Sequence, residues 1–240
     1  MARKSLEVLG DRFDISYEII NQDKTKDIVI LHGWGSNKNL MRQSFAKYLH
    51  EYRHIYIDLP GFGNSTTDIK LDSVQYSNIL NEFFKVTKIK KDIILGHSFG
   101  GKVATLLNPN LLVLVGSSGI LLPKPFSVRI KIYLNNLFRQ FGMTSFRKFF
   151  ISDDGKNLSP HMYETFKIVV NEDFSRVFES YSGKALLFWG RDDTATPLSA
   201  AKSINEKILN SKLFEYDGDH YFFMKHSDKI AQEIKTYIAP

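Results

Sequence analysis

Cysteine is absent from the 240-residue chain, so no disulfide framework, thiol nucleophile, cysteine-ligated zinc or iron–sulfur cluster can be built from it. The opening residues, Met1 to Val8, lack the apolar run and small-residue cleavage site of a secretory signal, which sets the expectation of a cytoplasmic protein. No stretch suits a membrane span. The longest uncharged run, Val103 to Pro123, is interrupted by Asn108-Pro109-Asn110 and Ser117-Ser118-Gly119, and its contiguous apolar side chains are only Leu111 to Val115. Acidic residues are outnumbered, 26 against 32 basic ones, but a formal charge of +6 is too small at this length to argue for nucleic-acid binding. His220 and His226 lack the spacing of a zincin site, and the glycine-rich loops match neither a Walker loop nor a full G-x-G-x-x-G, so neither metal nor cofactor is expected. Repeats and low-complexity tracts are also missing. What remains is the composition of a soluble globular chain, long enough to bury roughly 70 to 75% of its unfolded surface around one core.

Short runs rich in Ile, Val and Leu alternate with amphipathic stretches, the signature of an α/β fold with a parallel sheet. Eight strands are expected: Ser5 to Leu9 and Ile15 to Ile20 around a Gly10-Asp11 turn, then Ile28 to Leu31, His54 to Asp58, Asp92 to Leu95, Leu111 to Val115, Ala185 to Trp189 and Lys212 to Tyr216. Helices are expected over about Asn39 to His50, Ser73 to Phe84, Gly100 to Leu107 and Asp228 to Ile238. Between Gly119 and Ser182 the alternation stops, and helices and loops rich in aromatics take over. Residues 120–171 therefore read as an insertion over one end of a core made of residues 1–119 and 172–240.

Gly96-His97-Ser98-Phe99-Gly100 directly follows an expected strand and opens a helical pattern, the setting that turns G-x-S-x-G into a nucleophile elbow. A serine on so sharp a turn has strained backbone angles and crowded neighbours, so the positions two before and two after must be small; Gly96 and Gly100 meet that demand. The turn projects the Ser98 hydroxyl outward and sets the Phe99 N–H at a helix start, where a developing oxyanion is favoured.

A serine hydroxyl needs an adjacent base, and the base an orienting acid. In this architecture both follow the serine, acid first, in loops beyond later strands. Gly190-Arg191-Asp192-Asp193 follows the strand ending at Trp189, and Asp217-Gly218-Asp219-His220 follows the one ending at Tyr216. Among seven histidines His220 is the candidate base; His97 adjoins the nucleophile but has to point elsewhere on so tight a turn. The acid is Asp193 or its neighbour Asp192, with Asp193 preferred because it stands three residues after Gly190 and four before Pro197, while Asp192 would be a structural residue pairing with a surface Arg. Asp219 adjoins His220 too closely to reach back to its Nδ1. A second oxyanion donor is expected in Leu31-His32-Gly33-Trp34-Gly35, where Gly33 and Gly35 let the loop curl and aim the Trp34 N–H at the oxygen that Phe99 serves.

Taken together, His32-Gly33-Trp34-Gly35, Asp58-Leu59-Pro60-Gly61-Phe62-Gly63-Asn64-Ser65, Gly96-His97-Ser98-Phe99-Gly100-Gly101, Gly190 to Pro197 and Gly218-Asp219-His220 resemble the α/β-hydrolase superfamily over essentially the whole chain. The resemblance implies an eight-stranded, mostly parallel sheet flanked by helices, with residues 120–171 as a helical cap. It implies Ser98, Asp193 and His220 as nucleophile, acid and base, and hydrolysis through an acyl-enzyme without a cofactor. Haloalkane dehalogenases and epoxide hydrolases place Asp where this chain has Ser98. Hydrolases of meta-cleavage products, which cut C–C bonds, usually have Asn before the serine and Trp after the base, where this chain has His97 and Tyr221. The chain looks more like the small carboxylesterases, including those that cleave the methyl ester of pimeloyl carrier protein, so a serine esterase acting on small or short-chain acyl esters is the expected function. A non-catalytic binder that retains the fold and pocket is the alternative from another class.

From Leu111 to Ser152 there is no Asp or Glu, while Lys124, Arg129, Lys131, Arg139, Arg147 and Lys148 are all basic. Phe126, Ile130, Tyr133, Leu137 and Phe141 recur there at helical spacing. Two readings stand: a solvated outer lid face, or a docking surface for an acidic carrier protein or an anionic lipid surface.

Overall fold

The computed structural model describes residues 2–121 and 159–238. The six basic residues Lys124 to Lys148 and the apolar stripe Phe126 to Phe141 lie outside the described residues. The described chain runs β1 (Ala2–Val8), β2 (Asp11–Ile20), β3 (Asp27–Leu31), α1 (Lys38–Phe45), β4 (Arg53–Ile57), α2 (Ser73–Thr87), β5 (Ile93–His97), α3 (Phe99–Leu107), β6 (Leu111–Val115), α4 (Pro160–Val169), α5 (Ser175–Ser180), β7 (Lys184–Gly190), α6 (Leu198–Lys207), β8 (Ser211–Tyr216) and α7 (Phe223–Ile238).

The eight strands form one sheet in the order β1-β2-β4-β3-β5-β6-β7-β8. β1 and β2 pair antiparallel, as do β2 and β4, and every later pairing is parallel. Because side chains alternate along a strand, each central strand feeds both faces. Val29, Ile94, Leu112, Leu114 and Leu187 pack on one face with residues of α2, α3 and α6. Ile28, Ile30, Leu95, Val113 and Phe188 pack on the other with residues of α1 and α7. A sheet covered twice reads as continuous apolar runs, which is why its strands stand out in the sequence.

Several boundaries differ from expectation for local reasons. The first hairpin turns at Leu9-Gly10, both at positive φ (59° and 82°), with Val8 opposite Asp11, one residue earlier than expected. α1 stops at Phe45 because the Tyr48 N–H closes a tighter turn onto the Phe45 carbonyl and buried Leu49 is left-handed at φ 54°. α7 begins at Phe223, joined across the non-helical His226 (φ −122°, ψ 15°) to the stretch expected from Asp228. Helix α6 was not expected at all. Its buried face is Ala200, Ala201 and Ile204, and alanine carries little apolar signal.

Leu114 is fully buried on β6, whose last residue accepts the Ser98 N–H. Leu114→Ala is expected to lower unfolding free energy by about 3 kcal/mol, measured by urea denaturation.

Candidate active site

β5 ends beneath the carboxyl edge of the sheet, and the next residue, Ser98, takes φ 52° and ψ −116°, a conformation that costs a non-glycine residue roughly 1–3 kcal/mol. Surrounding bonds hold it there. The Ser98 N–H donates to the Val115 carbonyl (3.1 Å), and the Ser98 carbonyl accepts from the N–H groups of Gly101 (3.0 Å) and Ser118 (3.1 Å). The turn closes only because two side chains are missing. A Cβ on Gly96 would overlap the Gly100 carbonyl oxygen, and one on Gly100 would stand 2.6 Å from the His32 carbonyl oxygen. In both cases the obstacle is backbone, which cannot swing aside.

Two loops at the same edge bring Asp193 to His220. The Asp193 carboxylate is buried and fully engaged: Oδ1 accepts the N–H groups of Ala195 and Thr196 (2.8 Å each), and Oδ2 accepts from Thr196 Oγ1 (2.8 Å) and His220 Nδ1 (2.7 Å). A carboxylate so supplied with donors is held in one orientation, and it sets the imidazole tautomer by keeping the proton on Nδ1. Asp192 is exposed and turned away, its N–H donating to the Gly218 carbonyl (3.0 Å), and Asp219 is also exposed. Arg191 pairs with Asp217 and Glu215.

The loop after β3 is fixed from beneath. His32 Nδ1 donates to the Gly33 carbonyl (2.7 Å) while its Nε2 accepts the Leu59 N–H (3.0 Å), tying this loop to the one after β4. Burial holds the His32 imidazole neutral, outweighing the opposite pull of Asp58. Asp58 in turn accepts the Lys38 N–H (2.8 Å) and the Asn64 N–H (3.0 Å) and forms a buried ion pair with the Lys38 ammonium. Trp34 packs edge-to-face on Phe62 (4.8 Å) and Phe99 (5.6 Å) and lies against Phe166 of α4 (5.3 Å). Among the described residues the Trp34 and Phe99 backbone N–H groups make no hydrogen bond within the chain.

One cavity is lined by Ser98, His220, Trp34, Phe99, Phe166 and Val169, so the structure gathers at a single opening the residues singled out from three distant stretches of sequence. Its far wall contains a network that the sequence did not reveal. Buried Lys102, one turn after Ser98, donates to the Val169 carbonyl (2.6 Å) and to Glu172 (2.6 Å) and lies 4.4 Å from the Phe174 ring centre. Glu172 also accepts the Ser73 N–H (2.9 Å) and the Ser73 hydroxyl. Burial lowers the pKa of the Lys102 ammonium, and Glu172 opposes that effect. Thr196 is the other residue missed; its place three after Asp193, where a side chain can close a short turn, was the available signal. His97, expected to point elsewhere, is among the residues lining the cavity, and its ring lies against that of His220 (4.7 Å between centres). Among the described residues, no group of three or more His, Asp or Glu could hold a metal ion, and no helix is long and apolar enough to cross a membrane.

Residues 28–233 match the sequence model of the Alpha/beta hydrolase family. The chain is 25% identical to the pimeloyl-[acyl-carrier protein] methyl ester esterase of Vibrio campbellii, covering 89% of this chain and 94% of that one. It is 26% identical to the 2-hydroxy-6-oxononadienedioate/2-hydroxy-6-oxononatrienedioate hydrolase of Escherichia coli, covering 98% and 94%. Among solved structures, an esterase from Exiguobacterium antarcticum superposes with a TM-score of 0.81 over 97% of this chain and 98% of that one, at 21% identity. The structural likeness reaches to the shared fold.

Since backbone bars any side chain at the elbow glycines, Gly96→Ala is expected to destabilise the protein by about 3 kcal/mol or more in urea unfolding. Asp58→Ala, which strands the buried Lys38 ammonium, is expected to cost about 3–5 kcal/mol in the same measurement.

Proposed function

The chain belongs to the alpha/beta hydrolase family, and we propose that within it this protein is a serine carboxylesterase acting on small or short-chain acyl esters. The observation that carries the reading is the buried Asp193–His220 pair, 2.7 Å apart, opening on the cavity that also receives the strained Ser98. With Nδ1 protonated and bound to Asp193, Nε2 is the basic nitrogen. His220 Nε2 takes the Ser98 hydroxyl proton as Oγ attacks the ester carbonyl carbon, and the carbonyl π electrons move onto oxygen. The N–H groups of Trp34 and Phe99 receive that oxyanion, a contribution of ~3 kcal/mol each in the transition state. Collapse of the tetrahedral intermediate breaks the ester C–O bond, and His220 gives its proton to the departing alcohol. Water, deprotonated by the same imidazole, then attacks the acyl-enzyme, releasing the acid and restoring Ser98. No step needs a cofactor. Asp193 keeps the imidazole oriented and stabilises its cationic form.

In this reading residues 1–119 and 172–240 form the catalytic core and residues 120–171 the cap. Trp34, Phe166 and Val169 give the cavity an apolar wall suited to a small acyl group. The carrier-protein esterase among the relatives, together with the basic run Lys124, Arg129, Lys131, Arg139, Arg147 and Lys148, supports an acidic carrier protein as substrate bearer. Cleavage of a ring-fission dienoate, the activity class suggested by the Escherichia coli relative, is less favoured because His97 and Tyr221 occupy the positions where such hydrolases usually have Asn and Trp.

Three measurements test the reading. A fluorophosphonate probe is expected to label the wild type and not Ser98→Ala; absence of wild-type labelling would favour a ligand binder. Asp193→Asn is expected to lose about 10⁴-fold in kcat on p-nitrophenyl butyrate, the loss known for other serine triads with this change. A ring-fission dienoate offered in parallel is expected to turn over far more slowly than the butyrate ester.

A further inference from the structure

His97 is fully used by the fold yet absent from the mechanism above. Its imidazole is buried directly before the nucleophile, packed against the rings of His220 (4.7 Å), Phe223 (4.7 Å) and Tyr221 (5.4 Å). Its Nε2 lies 3.1 Å from the backbone carbonyl oxygen of His220, across 123 residues of sequence. A carbonyl only accepts, so Nε2 carries the proton and donates. The tautomer follows: Nδ1 bears a bare lone pair, and it has no hydrogen-bond partner among the described residues. That nitrogen faces the oxyanion loop so closely that a Cβ on Gly33 would stand 2.9 Å from it and 3.0 Å from Ser98 Cβ. Burial holds the imidazole neutral, far below its ordinary range, so the donor nitrogen and the bare one keep their roles.

One side chain thus touches the main chain of the base and the backbone of the oxyanion loop, and is covalently next to the nucleophile. We infer that His97 is a positioning residue for hydrolysis, fixing the His220 backbone through its Nε2–H so that the base keeps its aim through both proton transfers. Asp193 and Thr196 hold the His220 ring at Nδ1, and the direction in which the ring points depends also on where its Cα sits. The bond from His97 restrains that Cα. A displacement of about 1 Å at a reacting group is enough to lower turnover ~100-fold, so a bond far weaker in stability terms can matter to rate.

The inference rests on the reading of Ser98 and His220 as nucleophile and base, and the test separates the two. A glutamine amide nitrogen reaches about where Nε2 sits, whereas an asparagine amide reaches only as far as Nδ1. The two variants remove the same aromatic packing and differ in whether the His220 carbonyl keeps its donor. On p-nitrophenyl butyrate, His97→Asn is expected to lower kcat by about 10- to 100-fold with little change in KM, and His97→Gln to recover to within about threefold of wild type. Melting temperatures of the two variants are expected to agree with each other within about 3 °C. Equal kcat values for the two variants, whether both near wild type or both low, would overturn the inference and reduce His97 to packing. Should the asparagine variant not fold, His97→Phe, which keeps a ring and lacks the donor, replaces it in the comparison with glutamine. Ser98→Ala is run alongside: undiminished hydrolysis in that variant overturns the nucleophile assignment itself, a result distinct from any pattern at position 97.

Discussion

The site depends on a steric constraint: a serine held at positive φ between the central strand and the helix that follows. An isolated turn would relax. Here the strand partner β6 binds the Ser98 N–H, two further amides bind its carbonyl, and the backbones of residues 96, 100 and 32 approach too closely for any side chain at the glycines. Strain of this kind persists only where its surroundings over-determine it.

Around that fixed point the remaining groups are set by electrostatics among buried side chains. Asp193 has four donors on two oxygens, so its buried carboxylate is fully hydrogen-bonded, which offsets the cost of its burial. The same economy recurs at Asp58, whose oxygens take two backbone amides and the Lys38 ammonium, and it carries the loops that shape the opening. Among the described residues, Lys102 pairs with Glu172, Asp193 with His220 and Asp58 with Lys38, so separate elements around the cavity depend on one another for position.

Strands and elbow were legible in the sequence because they depend on composition over short windows: apolar runs of β-branched residues, and glycines two residues either side of a serine. The Asp193–His220 pairing was reachable from loop placement. That Asp193 and not Asp192 lies against His220 is visible only in three dimensions, where Asp193 is buried and its neighbour exposed. Lys102 with Glu172, and His97 with the His220 carbonyl, left no local trace. A lysine in an apolar helix face looks like a surface residue until its carboxylate arrives from 70 positions away, and a backbone acceptor has no sequence identity at all. Helix α6 escaped because alanine buries well and signals weakly.

The Lys102–Glu172 contact makes α3 and the chain entering after α4 a single inheritable unit. An ammonium one turn from the serine is tolerable only while the later carboxylate accompanies it, since a buried cation left alone is strongly destabilising. Recombination between relatives with a crossover anywhere between these two positions would therefore be viable only where both parents carry the pair or both lack it.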